Sequence, residues 1–171
     1  MEDIIALIDE LLKEHQQILQ NIKTLEQATD DLGAALKLEE VKQTLMPGRL
    51  EQQQQDLPKL EEILAALELR LQGHFNREET GLLTAFERHG NRMLASALNT
   101  LLLEHQPLRQ RLNNLKVEIA ELESAGLSQE VWDGKVWGLR AYITHTRKLL
   151  EEHAHSEYSL LERAREEIAG G

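Results

Sequence analysis

LQGHFNREETGLL, Leu71 to Leu83, reads as the middle of an amphipathic helix with a fault in it. Leu60, Leu64, Leu67 and Leu71 recur at spacings of four and three, as on a helical face turned to a core. The next positions on that face are 74 and 78. They hold His74 and Glu78 where leucine is expected.

The same period, with the same kind of fault, runs through the chain. A first helix over about 2–30 carries Ile4, Ile8, Leu11, Ile18, Ile22 and Leu25, with His15 in register. The second helix spans about 58–88, starts at Pro58, which suits a first turn, and carries its stripe on to Ala85. A third over about 91–124 runs through Leu94, Leu98, Leu101, Leu108, Leu112, Leu115, Ile119 and Leu122, with His105 in register. Pro107 lies inside it, where proline kinks a helix or costs it a hydrogen bond. A fourth over about 129–168 runs through Trp132, Val136, Leu139, Ile143, Thr146, Leu150, Leu160 and Ala164, with His153 and Glu157 in register. Four such stripes predict an all-α fold. The expected architecture is one antiparallel up-down-up-down four-helix bundle over residues 1–171.

Residues 31–57 are expected to form a partly helical insertion between the first two helices, because a structureless loop of that length is unusual. Leu36, Leu38, Val41 and Leu45 fit a short helix that Met46, Pro47 and Gly48 would stop. The glutamines at 52–55 read as solvated.

Composition narrows the function. The 171 residues carry a net charge of −11. Such a surface repels phosphate backbones and anionic lipids, so neither nucleic acid nor membrane is an expected partner. With no cysteine there are no disulfides, thiolate metal sites or thiol chemistry. The first fifteen residues, MEDIIALIDELLKEH, put acids where an export signal needs bases, and no apolar run is long enough to span a bilayer. A cytoplasmic location is the expectation.

The halves of the chain resemble each other. KEHQQILQNIKTL at 13–25 aligns with LEHQPLRQRLNNL at 103–115, and HFNREETGLL at 74–83 with HAHSEYSLLE at 153–162. Each half supplies one lone histidine and one H-x-x-x-E. Counted along helices at about 1.5 Å per residue, His15, His74 and His105 fall at one height, while His153 is off by roughly one and a half turns, a gap that loop residues could absorb.

Six titratable groups at one level of a core need a partner, because each unsatisfied buried polar group costs about 1–3 kcal/mol. Imidazoles and carboxylates are good ligands for first-row transition metals. In H-x-x-x-E both side chains lie on one face, one turn apart. Four histidines and two glutamates are too many donors for one tetrahedral zinc. They suit two metals, with each glutamate able to bridge. The carboxylate-bundle alternative needs two Glu-x-x-His motifs, and only Glu152 with His155 fits.

The ordered set, His15 in EHQ, His74 with Glu78, His105 in a second EHQ, and His153 with Glu157, resembles the hemerythrin-like, or HHE cation-binding, family over nearly the whole chain. The resemblance implies a four-helix bundle holding two non-haem iron ions, with a possible bridging oxo or hydroxo group. Glu78 and Glu157 would be the bridging carboxylates and His15, His74, His105 and His153 the terminal ligands. It implies binding or sensing of dioxygen or another small diatomic or peroxide ligand. Iron sensing or storage, and redox catalysis on peroxide or nitric oxide, are the alternatives. The oxygen carriers of the family have a fifth histidine on the third helix and an aspartate on the fourth. Here Arg109 and Glu157 stand at those places, which is closer to the iron-sensing and iron–sulfur-repair branches.

The remaining candidates are weaker. Glu79 is an alternative acid rotated off the stripe. His145 is off register, His155 faces away from His153, and His89 sits at a helix end. Tyr142 is expected at the core edge, and Trp132 and Trp137 as packing residues.

Overall fold

The computed structural model describes residues 2–41, 56–89, 91–124 and 126–171, with backbone alone for 2 and 33–41. Its elements are α1 (Glu2–Val41), α2 (Leu57–Asn76), a π-helical segment (Arg77–Leu82), α3 (Leu83–Arg88), α4 (Arg92–Leu102), α5 (His105–Leu122) and α6 (Gln129–Gly170). Four rods result: α1, then α2 through α3, then α4 with α5, then α6. α1 and α5 each pack against both α2 and α6, which closes a four-helix bundle. Two starts are capped as their sequences suggest. The Asn91 side chain accepts from the Leu94 N–H at 3.0 Å, and Ser128 from the Val131 N–H at 3.2 Å. Gly126, at φ +85°, makes the left-handed turn between α5 and α6.

Four details depart from the sequence reading. α1 continues to Val41 rather than ending near residue 30. Thr29 and Leu32 prolong its buried stripe, and Gly33 alone is too weak a breaker to stop it. Leu36, Leu38 and Val41 therefore extend α1 and do not start a separate helix. Leu45, Met46 to Gly48 and the glutamines at 52–55 lie outside the described residues. Second, the turn after Asn76 is π-helical, with the Leu83 N–H bonded to the Glu78 carbonyl. The wider turn shifts the register by one residue. Leu82 and Phe86 are buried where an unbroken α-helix would bury Ala85, which stays partly exposed. Third, Pro107 acts upstream. The rod breaks at residues 103–104, four residues before the ring, where a proline clashes with the preceding turn. Fourth, Trp132 is fully buried but Trp137, one position off the stripe, is 58% exposed, with the Arg140 guanidinium 5.3 Å from its ring.

The apolar core comes in two parts. One contains Ile18, Leu71, Phe75, Leu108 and Leu150. The other contains Leu11, Leu82, Leu98, Leu160 and Leu161. Between them in every rod stand the buried polar residues His15, His74, Glu78, His105, His153 and Glu157. Among the described residues no helix is long and apolar enough to cross a membrane.

Candidate metal centre

Each rod presents its polar residues to the bundle axis for the reason it presents leucines there: they lie on the same stripe. α1 supplies His15, α2 and the π segment supply His74 and Glu78, α5 supplies His105, and α6 supplies His153 and Glu157. His105 is the first residue of α5, so the break set by Pro107 lies beside it. Glu78 lies in the π turn that resets the stripe beyond it.

The structure brings all six together. The rings of His15 and His74 lie 4.6 Å apart, and those of His105 and His153 5.1 Å apart. The two glutamates span the pairs. Glu78 directs Oε1 to the Nε2 atoms of His74 and His15, the latter at 3.6 Å, and Oε2 to His105 Nε2 at 2.9 Å. Glu157 directs Oε1 to His15 Nε2 at 3.3 Å and Oε2 to His153 Nε2 at 3.2 Å. None of these approaches has hydrogen-bond geometry. All four Nε2 atoms and all four carboxylate oxygens are buried and unpartnered. At about 1–3 kcal/mol each, eight such atoms would be a severe burden on a bundle of this size.

Two metal ions would relieve that burden. The donors divide into His15, His74, Glu78 and Glu157, and Glu78, His105, His153 and Glu157; within each set the ligand atoms lie within 4.8 Å of one another. Both sets share both carboxylates. Each set offers two nitrogens and two carboxylates, which would leave coordination room on a metal that takes more than four donors.

The outer nitrogens explain how the rings are aimed. His74 Nδ1 donates to Glu14 Oε2 at 2.8 Å, His105 Nδ1 to Glu79 Oε1 at 2.9 Å, and His153 Nδ1 to Glu104 Oε2 at 2.6 Å. A carboxylate can only accept, so each Nδ1 carries a proton and each Nε2 is turned inward. Two of these acids are held by arginine. Arg77 Nη2 lies 2.5 Å from Glu14 Oε1, and Arg109 grips both oxygens of Glu79 at 2.8 and 3.0 Å. Phe75 stacks on His105 at 3.7 Å and fixes the plane of that ring.

Charge follows the same design. The Arg109 fork holds Glu79 below the usual carboxylate range. Burial pushes Glu14 up, but Arg77 and His74 outweigh it and hold it low. Burial keeps His74 neutral and takes His105 down to about 4. Burial also opposes the charge on His15 and His153, yet the acids beside them, Glu157 above all, hold both above the ordinary histidine range. Burial, and then the neighbouring Glu157, push Glu78 well up. Glu157 is held well down by Glu78 and the histidines around it, so of the two central carboxyls Glu78 is the one that keeps a proton more readily.

Glu79, weighed above as an alternative acid, touches His105 from outside and does not face the shared gap. His145, His155 and His89 are exposed and belong to neither donor set. Tyr142 is half-buried; its hydroxyl accepts from Asn114, and Arg111 lies over its ring at 3.9 Å. The sequence reading missed Glu14, Glu104, Arg77 and Phe75, and gave Arg109 no partner. The signal for two of them was present: the residue before each lone histidine, in both EHQ triplets, is the acid that orients a histidine on the next rod.

A family profile described as the hemerythrin HHE cation-binding domain matches residues 6–164. Comparison with curated proteins and with solved structures gives no match.

Proposed function

The chain belongs to the hemerythrin HHE cation-binding domain family, and from that premise we propose that its buried layer holds two iron ions that bind or sense dioxygen or a related small ligand. The terminal ligands in this reading are His15, His74, His105 and His153, and the bridges are Glu78 and Glu157. One observation carries it: eight buried, unpartnered donor atoms fall into two sets that share both carboxylates.

Two ferrous ions held there would supply electrons to a bound diatomic or peroxide ligand. The chain's own residues do the rest. Glu14, Glu79 and Glu104 anchor three imidazoles at Nδ1 and so turn their Nε2 atoms toward the shared gap. The apolar clusters on either side of the layer exclude water and so protect a bound ligand from it. The test is oxygen exposure of the reduced, iron-loaded protein. Return of the starting spectrum under argon supports binding or sensing. Irreversible oxidation with release of product supports catalysis on peroxide or nitric oxide instead.

A second reading, iron sensing or storage, is favoured by what the polar layer would cost without metal. If occupancy offsets the burden of eight orphaned atoms, iron controls how firmly the bundle folds. A cytoplasmic location belongs to the same proposal, and recovery from a membrane or secreted fraction of the cells that make the protein contradicts it.

A further inference from the structure

We propose that His15 is the exchangeable member of the donor set, and that the groove over it, between α1 and α6, is the path by which one metal is loaded and released. The inference rests on the di-iron reading above. Three of the four histidines have a carboxylate on Nδ1. Among the described residues, nothing bonds Nδ1 of His15. The internal repeat shows what is missing. When His74 is aligned with His153, Glu79 falls on Tyr158. Glu79 is the acid that orients His105 across the neighbouring rod. Tyr158, at the matching place on α6, borders the groove beside His15 and is 52% exposed.

The groove is lined by His15 itself, with Leu12, Leu19, Ala154, His155 and Tyr158 among its walls. His15 is also the most exposed of the six, at 8%. His153 borders a second groove, between α5 and α6, but there Glu104 ties its Nδ1 at 2.6 Å. Only at His15 do solvent access and a missing outer partner coincide. An untethered ring can turn away from a metal without breaking a second bond. Loss of such an outer carboxylate typically costs about 10–100-fold in metal affinity.

The test is release of ferrous iron from the full chain, loaded without oxygen and mixed with excess bipyridine. The expected time course has two phases of equal amplitude with rates about 10–100-fold apart. Tyr158→Glu, which puts an acid where the other half of the repeat has one, is expected to slow the fast phase alone. Glu79→Gln is expected to speed the slow phase. Should Tyr158→Glu not fold, Leu12→Trp, which crowds the groove, carries the same expectation of a slower fast phase. A single phase, or a fast phase that neither variant slows, overturns the inference. Fewer than two irons per chain before the chelator is added would instead overturn the di-iron reading itself.

Discussion

Glu78 and Glu79 are neighbours with different tasks. Glu78 is 0% exposed and faces both donor sets, while Glu79 lies outside, between His105 and Arg109. Glu78→Gln removes a shared oxygen donor, so iron content is expected to fall below two per chain. Glu79→Gln is expected to keep both irons and to weaken binding by about 10–100-fold. Titration with a competing chelator separates the two; equal effects would contradict these roles. The protonation pattern gives a second expectation. His15, His153 and Glu78 all hold protons above their ordinary ranges in the metal-free chain, and each must lose its proton to bind metal. Iron uptake near neutral pH therefore releases protons, and affinity falls as the pH drops. A weakly buffered titration read with a pH indicator checks the sign, and proton uptake would reverse it. At this scale the six central residues were legible because a polar side chain in a leucine stripe is costly and so conspicuous. Their outer partners were not, since an exposed-looking glutamate on a helix is usually just solvated. Glu14 and Glu104 become meaningful only once the neighbouring rod is in place.

Among the elements, the second rod shows where periodicity stops being a guide. A strict α register buries Ala85, and the π turn at Arg77–Leu82 buries Phe86 instead. Phe86→Ala is thus expected to cost about 3–5 kcal/mol, and Ala85→Ser almost nothing, in chemical denaturation. The reverse order would restore the α register. Pro107 offers another contrast. Inside a continuous helix it would cost about 3 kcal/mol, but in the first turn of α5 its missing N–H is one that the helix leaves unbonded anyway. Pro107→Ala is expected to shift stability by less than about 1 kcal/mol, because only helix propensity is at stake. A loss of several kcal/mol would show that the break at residues 103–104 holds up more than itself. Helix identity was legible from spacing alone, and the proline pointed to the break. The π turn was not, because its sequence, REETGL, has no residue that demands the wider turn. The run of α1 to Val41 was missed because its later residues lack the clean stripe of its first thirty.

At the scale of the whole molecule, the bundle is two apolar cores separated by one polar layer whose donors could hold two metal ions. Iron is expected to raise the unfolding midpoint, with a gain of about 2.7 kcal/mol per independent site when free metal is ~100-fold above its dissociation constant. Thermal scans with and without a chelator measure this, and identical midpoints would mean the layer is satisfied in some other way. Four stripes of matching length made the bundle legible, and the repeat of EHQ and H-x-x-x-E made the layer legible within it. The central claim, that this layer holds two irons, meets its most direct test in metal analysis of the anaerobically iron-loaded chain beside its His74→Ala variant. Two irons per chain in the parent, and a lower content with reduced stability in the variant, are the expected result. Well under one metal per chain in the parent, with stability unchanged by His74→Ala, would contradict it.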